Sequence, residues 1–182
     1  MRRWIICVMA VLLAVASLTG CGKKETIKAE IVIKDYGTIS VDLYPDVAPI
    51  TVENFVKLAK DGFYDGLKFH RIIENFMMQG GAGEGAATIK GEFTMNGVKN
   101  DLKHTRGVIS MARTNVYNSA SSQFFICQVD CEWLDGAYAA FGEVTEGMSI
   151  VDKICRSTPV QDGNGSVAEK DQPIIETIRI LE

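Results

Sequence analysis

The sequence predicts a mainly β domain: a closed antiparallel β-barrel capped by two α-helices. Three observations predict it. Short apolar runs bounded by turn residues recur from about residue 29 to residue 182. Only two segments carry the 3.6-residue apolar spacing of a helix. The composition is that of one ordinary globular domain, 182 residues with 47% hydrophobic and 23% charged, without repeats or low-complexity tracts. Many short strands and two helices in one domain bury their apolar faces as a barrel whose ends the helices cover.

Residues 1–20 stand apart from that domain. Arg2 and Arg3 precede a fifteen-residue, nearly unbroken apolar run, Trp4 to Leu18. A membrane-spanning helix wants about 20 residues, so the run fits the apolar region of a secretory signal. It ends in Leu18-Thr19-Gly20-Cys21, which resembles a bacterial lipobox. That likeness implies cleavage before Cys21, acylation of its thiol, and an extracytoplasmic protein anchored to a bacterial membrane. Residues 21–28 then read as the lipidated Cys and a polar tether, and residues 29–182 as the folded domain. Losing Arg2 and Arg3 with no acid takes the formal net charge from −4 to −6. With a pI near 5.3 there is no basic footprint, and nucleic acid is set aside as a partner.

Within the domain, Glu30–Lys34 and Thr38–Tyr44 read as strands about a turn at Asp35-Tyr36-Gly37; Ile39, Val41 and Leu43 alternate with polar residues. Pro49 opens a helix to Lys60, with Val52, Phe55, Val56 and Ala59 on one stripe. A glycine-rich loop, Gly80–Gly91, lacks both a strand-to-helix setting and a following Gly-Lys-Ser/Thr, which argues against a phosphate cradle. A turn is expected at Asn96-Gly97. Gly107–Ala112, Gln123–Gln128 and Tyr138–Val144 are further strands, Glu146–Cys155 is the second helix, and Pro173–Leu181 the last strand.

The stretch Phe69 to Gly81 is mostly large and apolar, yet carries Arg71 and Gln79. A guanidinium among Phe and Met side chains is either a snorkelling arginine on a core strand or the polar part of an apolar ligand pocket. Competing chemistries find little support. Of two histidines, His70 reads as packed or hydrogen-bonded, and His104 as structural or surface. No Gly-x-Ser-x-Gly, catalytic-cysteine signature or His-Glu-x-x-His accompanies them, so neither a metal nor a cofactor is expected. Cys127, Cys131 and Cys155 would remain after processing. Cys127 reads as a small buried hydrophobe; a Cys127–Cys131 disulfide is also open.

Phe69-His70-Arg71-Ile72-Ile73, Phe76-Met77 and Gln79-Gly80-Gly81 resemble the signature of the cyclophilin family of peptidyl-prolyl isomerases. Ile109–Arg113, Ser122–Ile126, Glu132–Gly136, Phe141-Gly142 and Glu146–Met148 follow in the family's order. The resemblance implies a closed barrel of eight strands, activity on proline-containing polypeptides, and a monomer. It implies that Arg71 is catalytic, that Phe76, Met77, Phe125 and Leu134 form a proline pocket, and that Gln79 and Gln123 supply polar contacts. Trp133 would edge the groove, with Ala112 and the backbone near Arg113 and Thr114 along the bound peptide. Two departures stand out: some well-known members carry His at the position of Tyr138, and Asn-Ala in place of Arg113-Thr114. Cyclosporin-type cyclic peptides, which bind many members, are candidate partners; Trp133 favours them, while Tyr138 and Arg113 leave their affinity open.

Overall fold

The computed structural model describes residues 25–181; the signal, Cys21 and the start of the tether lie outside them. Eight strands form one antiparallel sheet: β1 (Ile27–Ile33), β2 (Gly37–Leu43), β3 (Phe69–Ile73), β4 (Met77–Gly80), β5 (Val108–Met111), β6 (Phe124–Cys127), β7 (Ala140–Glu146) and β8 (Ile175–Leu181). Their order is β3-β4-β6-β5-β7-β2-β1-β8. The helices are α1 (Pro49–Lys60) and α2 (Met148–Ser157).

Alternation along the strands explains the curl. Ile31, Ile33, Ile39, Val41 and Leu43 point inward and are essentially inaccessible to water, so one face of the sheet must wrap around itself to keep them dry. Helix α1 closes one end with Val52, Phe55, Leu58 and Ala59. The Phe55 ring lies 5.2 to 5.5 Å from those of Tyr64, Phe124 and Phe141. Val56, placed on the buried stripe from spacing alone, is only partly covered. Ala48, the N-cap residue of α1, makes no side-chain capping bond. Instead buried Glu92 accepts bonds from the backbone N–H groups of Ile50 (3.1 Å) and Thr51 (2.7 Å) and from the Thr51 hydroxyl (2.7 Å). A carboxylate there satisfies orphan donors and meets the positive end of the helix dipole.

The expected closed barrel is corrected: the sheet stays open between β3 and β8. These edges meet only at their ends, through a single bridge, Lys68↔Ile174, with Phe69 N–H donating to Pro173 O (2.9 Å) and Ile175 N–H to Leu67 O (2.7 Å). Farther along, the free edge of β3 is already taken. Ile72 N–H donates to Gly165 O (2.8 Å) and Val167 N–H to His70 O (3.0 Å). The loop after α2 thus occupies the positions β8 would need.

Three boundaries also differ. The stretch 69–81 is two strands, split at Glu74–Phe76, where Asn75 turns the chain at φ 60°. Strand β7 runs through Glu146, and α2 begins only after Gly147 at φ 91°. Strand β1 begins at Ile27, inside the segment read as tether. The Asn96-Gly97 turn is present, Gly97 closing a short 3₁₀ turn in the left-handed conformation.

Candidate active site

A bulge places Arg71. Phe69 and Ile72 both face the barrel interior and are fully buried, a spacing of three that strict alternation forbids. The β3–β4 register slips between Phe69 and Arg71, so one extra residue is absorbed at His70 and Arg71 swings to the outer face. There it pairs across with Gln79. On the neighbouring strands alternation does the rest. Met78, Phe124, Ile126, Ile109 and Met111 join the interior core, while Met77, Phe125 and Cys127 join a second apolar cluster outside it. The outer surface of β4, β6 and β5 therefore carries its own small hydrophobic floor.

Over this floor lies a cavity of about 130 Å³. Sites for drug-sized ligands run to about 300–1,000 Å³, so this one admits a side-chain-sized group. Phe76, Met77, Phe125 and Leu134 supply its apolar lining, Ala112 and Tyr138 a side wall, and Arg71, Gln79 and Arg113 its polar rim. Arg71 is aimed by two bonds. Its Nε donates to Asn164 O (2.9 Å) and Nη1 to Gln79 Oε1 (3.3 Å), and Gln79 Nε2 in turn donates to Gln123 Oε1 (3.0 Å). Asn164 is held by Asp162, whose Oδ1 accepts from the backbone N–H groups of Asn164 (2.9 Å) and Ser166 (3.1 Å). Among the described residues no carboxylate forms an ion pair with Arg71, which leaves its charge uncompensated beside the cavity.

The floor has a buried polar support. The His104 ring stacks on Phe125, centroids 6.1 Å apart and planes within 13°. His104 Nδ1 lies 3.1 Å from Asp135 Oδ1 and Nε2 3.0 Å from Ser110 Oγ. Asp135 Oδ1 also accepts the His104 backbone N–H (2.8 Å), and Lys103 stands 3.2 Å from its other oxygen. Burial pulls the His104 pKa below 6.5 against the pull of Asp135. Burial raises that of Asp135, but its bonds from His104 and Lys103 outweigh this and leave it lowered. The pair is thus a neutral imidazole and a carboxylate. Ser110 is fully buried, so this Ser-His-Asp chain reaches no substrate; it braces Phe125.

Of the residues singled out from sequence, nine line the one cavity. Gln123 does not, but holds Gln79 and lines an adjoining polar cavity. Trp133 is 65% exposed, its ring 5.5 Å from that of Phe76 at the rim. His70 sits in the bulge, where burial and then the charge of Arg71 lower its pKa. Cys127, Cys131 and Cys155 are free, buried thiols rather than a disulfide. Burial raises all three pKa values, that of Cys155 to about 12, so they are inert packing. Sequence reasoning missed Asn164, which acts through its carbonyl, and the His104–Ser110–Asp135 brace.

The site is a side-chain-sized apolar slot with a fixed guanidinium above it and no carboxylate in its lining, an arrangement suited to holding a small apolar group by shape and charge. The profile of the cyclophilin-type peptidyl-prolyl cis-trans isomerases matches residues 28–182, and the chain belongs to that family of enzymes. It is 38% identical over 158 residues to peptidyl-prolyl cis-trans isomerase B of Escherichia coli K12, covering 81% of this chain and 96% of that protein. It is 46% identical over 126 residues to a peptidyl-prolyl cis-trans isomerase of Helicobacter pylori, covering 65% of this chain and 74% of that one. A crystal structure of a Cryptosporidium parvum cyclophilin-type isomerase superposes with TM-score 0.75 at 27% identity, covering 87% of this chain and 99% of that chain. A second was determined in the presence of the dipeptide Ala-Pro, with TM-score 0.73.

Proposed function

We propose that this isomerase turns Xaa-Pro bonds of exported polypeptides by gripping the proline ring in the slot while Arg71 stabilises the twisted amide. The observation that carries this reading is the Arg71–Gln79–Gln123 chain standing over the floor of Met77 and Phe125. Rotation about Xaa-Pro is slow because resonance gives the C–N bond partial double character, with a barrier of about 18–20 kcal/mol. When the amide twists, conjugation is lost and the nitrogen lone pair localises. A guanidinium donating to that nitrogen, or fixing the neighbouring carbonyl, binds the twisted form better than either planar isomer, which is the condition for catalysis. Arginine suits the task because it stays protonated and donates from a rigid plane. Two of its five N–H donors aim it at Asn164 and Gln79; three are left for substrate. No bond breaks, so no nucleophile, metal or redox group takes part.

Localisation belongs to the same proposal. The Arg2-Arg3 start, the apolar run and Leu18-Thr19-Gly20-Cys21 support export and acylation of Cys21, with residues 29–182 working at a membrane surface as a monomer. Cyclosporin-type peptides are candidate competitors for the slot: Trp133 favours them, while Tyr138 and Arg113 leave their affinity open. Exchange NMR on an Ala-Pro peptide tests the central reading. Line broadening from accelerated interconversion is expected, whereas saturable binding without acceleration would make the protein a module that merely holds proline peptides.

A further inference from the structure

We propose that Arg113 selects acidic substrates: a Glu or Asp next to the proline pairs with its guanidinium. This rests on the peptide-isomerase reading above and names the substrate class for it.

Arg113 forms part of the wall between the proline cavity and an adjoining cavity of about 160 Å³. The second cavity is polar, with Thr114, Ser119, Ser121 and Gln123 in its lining. Neither lining contains a carboxylate, while Arg71 and Arg113 are both present. A chain of net charge −4 thus turns a doubly cationic surface to its substrate. Nearby acids are engaged elsewhere: Asp135 by His104 and Lys103, Asp162 by the Asn164 and Ser166 amides. Glu132 is exposed.

The side chain is held for the task. Its Cζ lies over three rings, 4.9 Å from the Phe93 centroid, 5.2 Å from Tyr117 and 4.7 Å from Tyr138. Nε and Nη2 donate to Ala137 O at 2.9 and 2.7 Å, and Nη1 to Thr114 O at 2.8 Å. Three of five N–H donors are therefore spent on neutral carbonyls, leaving two and the full charge. The rings and carbonyls stabilise the cation without neutralising it. Because the cage has already removed its rotamer freedom, pairing with a carboxylate costs little further side-chain entropy.

The test uses Xaa-Pro peptides identical except for Glu, Gln or Lys beside the proline, with kcat/KM from exchange NMR. The wild-type protein should favour the Glu over the Lys peptide by about five-fold or more in low salt, with the Gln peptide between. That ratio should fall toward one at about 0.5 M salt, where charges are screened within a few ångströms. In Arg113→Gln the Glu:Lys ratio should drop toward one, and in Arg113→Lys it should be partly kept. Reading the ratio within each enzyme cancels any loss from an altered pocket. A ratio near one in the wild type would overturn the proposal while leaving the isomerase reading intact. A ratio unchanged in Arg113→Gln would overturn it too, assigning the preference to Arg71. No acceleration of any peptide would overturn both.

Discussion

His104→Ala tests whether the slot depends on its buried support. The substitution removes the contacts at 3.1 Å to Asp135 and 3.0 Å to Ser110, together with the ring stacked on Phe125. Two net hydrogen bonds are worth about 1 kcal/mol each, and a buried hydroxyl left unpaired costs about 1–3 kcal/mol. Asp135 is spared the full penalty, since it keeps the residue 104 amide and Lys103. The total is about 3–5 kcal/mol, a large part of the stability of a single domain. At a urea slope of about 2 kcal/mol/M this lowers the unfolding midpoint by about 2 M with the slope unchanged. Loss of the ring also leaves Phe125 free to sink into the vacated space, so KM for an Ala-Pro peptide should rise more than kcat falls. The pH dependence has a defined sign. Burial holds the folded His104 pKa below 6.5, so below pH 6.5 the unfolded chain binds the extra proton and stability declines as pH falls. The depressed Asp135, Asp152 and Asp162 act only below about their ordinary 3.8. Between pH 6.5 and 5 the wild-type midpoint should therefore fall. His104→Ala should fall less, the remainder coming from His70, whose pKa is also lowered. A midpoint shift under about 0.3 M with KM unchanged would refute the bracing role.

Two further predictions concern the aim of Arg71 and the anchoring of the chain. Gly165 sits at φ 80°, and a Cβ added there would collide with the Ile72 backbone carbonyl; Gly165→Ala should displace the Asn164 carbonyl and lower kcat, and full activity would detach that loop from the site. Cys21→Ala should abolish fatty-acid labelling and leave an unprocessed or mislocalised chain, whereas undiminished labelling would refute the lipobox reading.

What the sequence disclosed followed from local rules. Alternation in β2 and the Pro49–Lys60 helix were legible because one residue period decides each. The clustering was legible for another reason: Arg71, Phe76, Gln79, Phe125 and Leu134 line the cavity with their side chains, which a sequence names. Asn164 acts through a carbonyl that any residue could present. The His104–Ser110–Asp135 brace and the Glu92 cap join residues 6 to 42 positions apart, where spacing carries no signal. Closure failed for the same reason, because only the fold reveals that residues 165–167 occupy the β3 edge. The 69–81 stretch hid its turn since Asn75, rather than glycine, supplies the positive φ.

Arg71→Lys and Arg71→Ala, each measured by exchange NMR for turnover and by titration for peptide affinity, bear most directly on the central claim. A donor that acts in the twisted state is worth about 10²–10³ in rate at comparable catalytic sites. Both variants are expected to lose about that much in kcat, with affinity for the Ala-Pro peptide changed by less than about ten-fold. Turnover surviving in Arg71→Ala within about three-fold of wild type would contradict the account.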